Sequence, residues 1–413
     1  MRSRTPGWVA GLFLLLGVGL MVGMGIANLR FTQTVQDANA FLPRWEGANA
    51  WLTRGISPYD PQVSHLAQRQ LYGRAADPDQ GEDLALFAYP LPAMLLYAPF
   101  GAFAYPVARA AWMTLLELAL PLAALLGLRL AGWRPPVLLA ALSVAFSVAW
   151  APGFRSIVAG SPAALALLFS LSALVCVERN FDPVAGVLFA LAVIDPAPGG
   201  LLLISALVWA VSRRRWVIVA SSLVTASLLI ATSLVLLPGW PLAWLQQLAG
   251  WIGLGGSTMP SSTWPILGPG VLPEILTAGL LLACAWAWWR SWGGGVRWLA
   301  WSAVFTLALA DWLTLAAVGR SSSVSLLPAI LLILGTWARR APRWGPWISG
   351  ASLVLVALAS WTPFLFNRSG SPVGVTAGSA VPLLAALGLL WVRWWATRGA
   401  DIRDLALETG VRE

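Results

Sequence analysis

Apolar runs of about twenty residues, the length that carries a helix across the hydrocarbon core of a bilayer, recur along nearly the whole of this chain. Inside lipid every backbone N–H and C=O must be satisfied internally, which leaves only helices and closed barrels. Barrel strands alternate apolar and polar residues over about ten positions. Runs such as Val217 to Leu237 and Ile275 to Trp289 do not alternate. The sequence therefore predicts an all-α, polytopic membrane bundle. Composition agrees: 58% of the 413 residues are hydrophobic and 10% are charged, against about 25% charged in a soluble domain.

Spans are expected near 8–28, 87–105, 107–129, 136–152, 160–177, 184–211, 216–238, 271–290, 297–317, 323–338, 345–366 and 376–396, twelve in all. The apolar stretch Trp8 to Ala27, after Met1-Arg2-Ser3-Arg4, is longer than a signal-peptide core and reads as an uncleaved first span. Residues 1–396 then form a single multi-span membrane domain with a long outer loop at 29–86 and a second at 239–270. Residues 397–413 form a cytoplasmic tail. Two runs carry alternatives. The 87–105 run is short and holds Pro90, Pro92 and Pro99, so it reads as a span or as a re-entrant segment. The 184–211 run is interrupted at Asp195-Pro196-Ala197-Pro198-Gly199-Gly200, so it reads as one long span or as a helical hairpin.

All 26 basic residues are arginine, and the net charge is +9. Because much of this charge sits in short loops between spans, it follows the positive-inside rule and is no sign of nucleic acid as a partner. Arg213-Arg214-Arg215, the group Arg339, Arg340 and Arg343, and the group Arg393, Arg398 and Arg403 mark the cytoplasmic side. Twelve full spans put both termini in the cytoplasm with these clusters but leave Arg129 and Arg134 outside. A hairpin at 184–211 with a re-entrant 87–105 restores agreement, and the sequence leaves both open. A bacterial plasma membrane is the expected location.

The first outer loop holds seven of the 17 acids (Asp37, Glu46, Asp60, Asp77, Asp79, Glu82 and Asp83), with Arg30, Arg44, Arg54, Arg69 and Arg74. Carboxylates there suit a general base acting on a sugar hydroxyl, and arginines suit a phosphate held by paired hydrogen bonds. A solvated loop of balanced charge is the plainer account. Phe41, Trp45, Ala48 and Leu52 recur at helical spacing; Pro43 suits a first turn and Gly55 a stop. A second helix is expected over about 61–72 on a face of Val63, Leu66 or Ala67, and Leu71. Both read as amphipathic helices on the outer leaflet. An acid within an apolar run is costly, so Asp195 is singled out. Arg109 and Glu117 are expected to pair inside the bundle, and Asp311 to face Arg320. Cys176 and Cys284 lie in apolar runs and read as buried thiols, and the single His65 cannot build a histidine metal site. No metal and no cofactor is expected.

The ordered motifs Phe41-Leu42-Pro43-Arg44-Trp45-Glu46-Gly47, Gly55-Ile56-Ser57-Pro58-Tyr59, Tyr72-Gly73-Arg74 and Phe87-Ala88-Tyr89-Pro90-Leu91 resemble the first outer loop of glycosyltransferase family 87. Later segments are similar too: Gly186 to Ala192 before a proline break, Pro238-Gly239-Trp240, Arg320 before serines, and Trp391-Val392-Arg393-Trp394-Trp395. The resemblance implies a GT-C type membrane bundle that moves a sugar, often mannose, from a polyprenyl-phosphate donor to a glycolipid or glycan acceptor at the extracytoplasmic face. The enzyme class is a hexosyltransferase, with the lipid-linked sugar as co-substrate and membrane lipid as surroundings. It implies inverting displacement with Asp37, or failing that Glu46, as the base. Arg44, Arg74 and Arg320 would hold the donor phosphate, and Tyr59 and Tyr89 would shape the pocket. Asp195, singled out by its place in an apolar run and not by the resemblance, would line a polar cavity that binds substrate, pair with an arginine or sit in a helix break open to water.

This chain departs from the family pattern in three places. Asn39-Ala40-Phe41 stands where related sequences read Asn-Asp-Phe, Gly160-Ser161 where they read Gly-Gln, and Asp195-Pro196 where they read Lys-Pro. A scaffold or lipid-binding subunit without catalysis is therefore an alternative, and a transporter or flippase with broken helices is a third.

Overall fold

The computed structural model describes residues 7–35, 39–77, 82–253, 271–318, 323–366 and 373–396. Among the described residues there are helices and no strand, so the all-α bundle expected from the apolar runs is what forms. In chain order the helices are α1 (Gly7–Thr34), α2 (Phe41–Arg54), α3 (Pro61–Tyr72), α4 (Leu91–Gly101), α5 (Tyr105–Leu130), α6 (Val137–Ala149), α7 (Ala151–Val158), α8 (Ala163–Glu178), α9 (Asp182–Leu191), α10 (Pro196–Ser212), α11 (Trp216–Leu236), α12 (Trp240–Gly253), α13 (Val271–Ser291), α14 (Val296–Val318), α15 (Leu327–Arg340), α16 (Gly345–Phe366) and α17 (Val373–Ala396). Among the described residues four stretches, Leu15–Thr34, Tyr105–Leu130, Trp216–Leu236 and Gly345–Thr362, are long and apolar enough to cross a membrane unaided. The pair α6 and α7, bent by 50°, is long and apolar enough when taken together and forms a broken span or a re-entrant loop. The bend falls at Trp150-Ala151-Pro152, where proline lacks an N–H and its ring clashes with the preceding turn.

The chain divides into two compact units. The first comprises Met1–Leu118, Val158–Gly160 and Leu237–Gly253; the second comprises Ala119–Ile157, Ser161–Leu236 and Leu254–Glu413.

In the first unit, α2 begins at Phe41 because the Asn39 Oδ1 accepts the N–H groups of Phe41 (3.1 Å) and Leu42 (3.0 Å), which no helical carbonyl can satisfy. It stops at Gly55, whose φ of +65° suits glycine. In α3, Asp60 accepts from the Gln62 N–H at 2.8 Å, Pro61 opens the first turn, and Gly73 ends the helix. Phe41, Trp45 and Ala48 are buried as their spacing predicts, while Leu52 is exposed. The buried face of α3 is Val63, Ser64, Ala67 and Gln68 rather than one running to Leu71. Because α2 also buries Arg44 and Glu46 and packs on α3 and α4, it is a core element rather than a strip laid on lipid. Helix α4 has 11 residues. That gives about 16 Å against a core of about 30 Å, so the 87–105 run does not span.

Helices α1 and α5 are tied by Asn28, whose Nδ2 donates to Thr114 Oγ1 (3.0 Å) and Glu117 Oε2 (2.9 Å), and by Thr32 donating to the Pro106 carbonyl (3.0 Å). The expected Arg109–Glu117 pair is not made. Eight residues of helix separate the two groups by about 12 Å. Arg109 instead donates to the carbonyls of Val35 (3.0 Å) and Val158 (3.2 Å).

In the second unit, arginines draw loops together at one end. Arg129 pairs with Glu178 at 3.0 Å, Arg339 donates to the Ala131 carbonyl, and Arg213 donates to the Gly293 carbonyl at 2.8 Å. Arg215 bonds the Val177 carbonyl (3.1 Å), Asn180 (3.1 Å) and, through both ends of its fork, Asp182. The chain entering α9 thus meets the chain leaving α10, and of the two sequence readings of 184–211 the hairpin is the one that forms, with Asp195 at its turn. Arg129 shares an end with Arg213 to Arg215 and Arg339. Around this hairpin, α9 packs on α8 and α11, α10 packs on α14, and α14 packs on α13 and α17.

Candidate functional site

In the first unit, three of the sequence-selected residues meet. The Arg44 guanidinium lies 3.8 Å from the centroid of the Tyr89 ring and 5.6 Å from that of Tyr97. Tyr59 donates its hydroxyl to the Tyr89 carbonyl at 2.7 Å and sets its ring edge-on against Phe87. Burial without water access pushes the Tyr59 phenol well above its ordinary range, so it stays a neutral donor. Arg44 is buried, gives one Nη1 hydrogen bond to the Ala40 carbonyl, and has no carboxylate of the described residues within ion-pairing reach. Stacking on aromatic faces recovers about 2 kcal/mol of what a desolvated cation loses, well short of what a carboxylate partner returns at this depth. An anionic group would supply the rest.

The floor beneath these residues is a stack of rings. Phe41 lies on Trp112 (5.5 Å between centroids) and beside Tyr97 and Phe100. Its approach depends on Gly160, which has φ +64° and whose added Cβ would stand 2.6 Å from the Phe41 Cβ. Trp112 donates to the Gly160 carbonyl at 3.0 Å.

The remaining selected residues stand elsewhere. Glu46 is buried on α2 with its carboxylate taken by Arg54. Arg74 is half exposed and held in a two-pronged bond by Glu82 at 2.8 Å, an arrangement that keeps the Glu82 carboxyl below its usual range. Asp37 and Arg320 lie outside the described residues. The neighbours of Asp37 are anchored, Val35 by Arg109 and Asn39 by its bonds to α2 and to the Tyr105 hydroxyl (2.7 Å).

Asp195 belongs to the second unit. Its carbonyl accepts from the Gly199 N–H at 2.9 Å as α10 begins. Pro198 and Gly199 of this turn, with Ser170 and Ser325, line a cavity of about 10 Å³, room for one water. Asp311 is buried and accepts from Ser325, one of the lining residues, at 3.2 Å.

Sequence reasoning passed over Tyr97, Trp112, Trp244 and Gln247. Trp244 donates to the Ala88 carbonyl (3.3 Å) and Gln247 to the Tyr59 carbonyl (3.0 Å), so α12 is docked on the same loop. The Pro238-Gly239-Trp240 motif was the available signal for that helix.

Long apolar helices define a polytopic α-helical membrane protein, in which Arg44 is a buried guanidinium with no ion-pair partner among the described residues. The model of glycosyltransferase family 87 matches residues 87–266, a stretch that runs from the Phe87-Ala88-Tyr89 segment past the end of α12. The members of that family are glycosyltransferases, and the match supports the same class for this protein. No curated protein and no solved structure matches the chain.

Proposed function

We propose that the protein transfers mannose from a polyprenyl-phosphate donor to a hydroxyl of a glycolipid or glycan acceptor at the extracytoplasmic face of a bacterial plasma membrane. The acceptor oxygen attacks the anomeric carbon and the bond to the phosphate breaks with inversion. The acceptor proton passes to a carboxylate, and the lipid phosphate leaves with the bonding pair. Arg44 meets the charge that grows on the leaving phosphate, which a fixed cation in a site closed to water does efficiently. Tyr89 and Tyr59 hold Arg44 in place. Arg74, once released from Glu82, is a further phosphate ligand. Asp37 is the base, because the Glu46 carboxylate is already spent on Arg54. Arg44, buried and without an acid, carries this reading.

The test is sugar transfer by the purified protein from polyprenyl-phosphate-mannose to candidate acceptors. Asp37→Asn is expected to lower kcat by 10²-fold or more, on the scale of a lost general base, and Glu46→Gln to act mainly through folding. Equal transfer by both variants and wild type removes the assigned bases.

One observation favours a second reading, a donor-binding scaffold without turnover. Ala40 occupies the place of the family's acid, and its carbonyl, not a carboxylate, is what Arg44 bonds. Binding of the donor with no transfer to any acceptor would establish it.

A further inference from the structure

The Pro238-Gly239-Trp240 motif has no part in the reading above, yet its tryptophan opens the helix that docks on the loop of the site. Helix α12 packs on α4, and its bonds to Ala88 and Tyr59 fasten it to the stretch on which Arg44 is stacked. The Trp240 ring lies 6.2 Å from that of Trp244, which itself reaches the Ala88 carbonyl. Trp240 is buried and its indole N–H has no acceptor; Arg44 is buried and its Nε–H has none either. Buried donors are nearly always paired, and an orphan points to a group that arrives later. Arg44 stacks on Tyr89, and Trp240 neighbours the tryptophan that bonds Ala88, so both orphans belong to the packing around one stretch of chain, and both are donors. A group with several oxygens and a negative charge answers both and the guanidinium charge as well. Leu242 and Leu245 on the same helix are exposed and apolar, which suits a hydrocarbon chain leading away from that group.

We propose that Trp240 is a binding residue for the phosphate of a lipid-linked donor, its indole N–H and the Arg44 Nε–H taking oxygens of one phosphate group. This rests on the donor being a lipid phosphate, and the experiment separates the two claims. Full-length protein in phosphatidylcholine nanodiscs is titrated with radiolabelled farnesyl phosphate, with farnesol as the uncharged counterpart and inorganic phosphate as competitor. Wild type is expected to prefer farnesyl phosphate over farnesol. Trp240→Phe, which keeps a ring and removes the N–H, is expected to weaken farnesyl phosphate about tenfold, the scale of one hydrogen bond to a charged acceptor, and to leave farnesol unchanged. Trp240→His restores a ring N–H and is expected to recover part of the loss, which a purely structural role for the indole would not produce. Arg44→Lys is expected to weaken farnesyl phosphate as well. Displacement by inorganic phosphate marks a site that reads the phosphate alone. Its failure to displace marks one that also needs the lipid chain, and either outcome supports the site. If Trp240→Phe binds farnesyl phosphate within twofold of wild type while Arg44→Lys does not, the role of Trp240 falls and the lipid-phosphate reading stands. If wild type does not distinguish farnesyl phosphate from farnesol, both fall.

Discussion

A single hydroxyl shows how strongly the first outer loop is held. Tyr59 is buried, donates to Tyr89, and receives Gln247 on its carbonyl. Its phenol ionises at higher pH in the folded protein than in the unfolded chain. The folded state therefore keeps a proton that the unfolded state loses, and stability contributed by Tyr59 is present below pH of about 10 and falls as pH rises beyond it. Tyr59→Phe is expected to flatten that alkaline fall and to cost about 1–2 kcal/mol at neutral pH, because the Tyr89 carbonyl loses its donor. Thermal unfolding in detergent at pH 7 and at pH 11, wild type against variant, measures both effects. An alkaline slope unchanged by the substitution would refute the assignment.

At the scale of the element, α2 decides whether the site exists. Its N-terminus is secured by the Asn39 side chain, which caps two N–H groups and bonds Tyr105, and by the Ala40 N–H donating to the Ala159 carbonyl at 2.7 Å. Asn39→Ala is expected to cost about 1–2 kcal/mol and to loosen the first turn, which Arg44 leaves to reach Tyr89. Asn39→Asp, still able to cap, is expected to lose less. Hydrogen exchange of the amides of residues 41–45, followed by mass spectrometry, reads the fraying directly. Slow exchange in Asn39→Ala would show that the cap matters little. The two helices of this loop were largely legible beforehand. Phe41, Pro43 and Gly55 bound α2, and Pro61 with Gly73 bounds α3, because caps and left-handed stops are local chemistry. The burial of Arg44 was not legible, since the spacing of apolar residues says nothing about which polar residue packs beneath them.

For the molecule as a whole, the arginine ties of the second unit fix which loops share an end. Arg134 follows Ala131, whose carbonyl Arg339 holds, and Arg214 adjoins Arg215 at the mouth of the α9–α10 hairpin. Twelve uninterrupted spans would set Arg134 and Arg214 on opposite faces of the membrane. With Cys176 and Cys284 replaced by alanine, single cysteines at Arg134→Cys and Arg214→Cys are expected to react with an impermeant maleimide from the same side of oriented vesicles. Labelling from opposite sides would overturn the hairpin. By the positive-inside rule, that shared side is expected to be the cytoplasmic one.

The sequence by itself determined that this chain lives in a bilayer as helices, because the absence of water leaves the backbone no other way to satisfy its polar groups. It also marked the breaks, at Pro90, Pro92 and Pro99 and at Asp195-Pro196, where an N–H is missing. Tertiary structure alone decided how the breaks are used: that 87–105 stays short of a span, that Asp195 turns a hairpin, and that Arg109 grips two carbonyls instead of Glu117. It alone brought Arg44, Tyr59 and Tyr89 together and left Glu46 and Arg74 to their own partners. The reason is one of range. Periodicity and capping act over a turn or two of helix, whereas the partner of a buried charge is chosen by whichever distant segment packs against it.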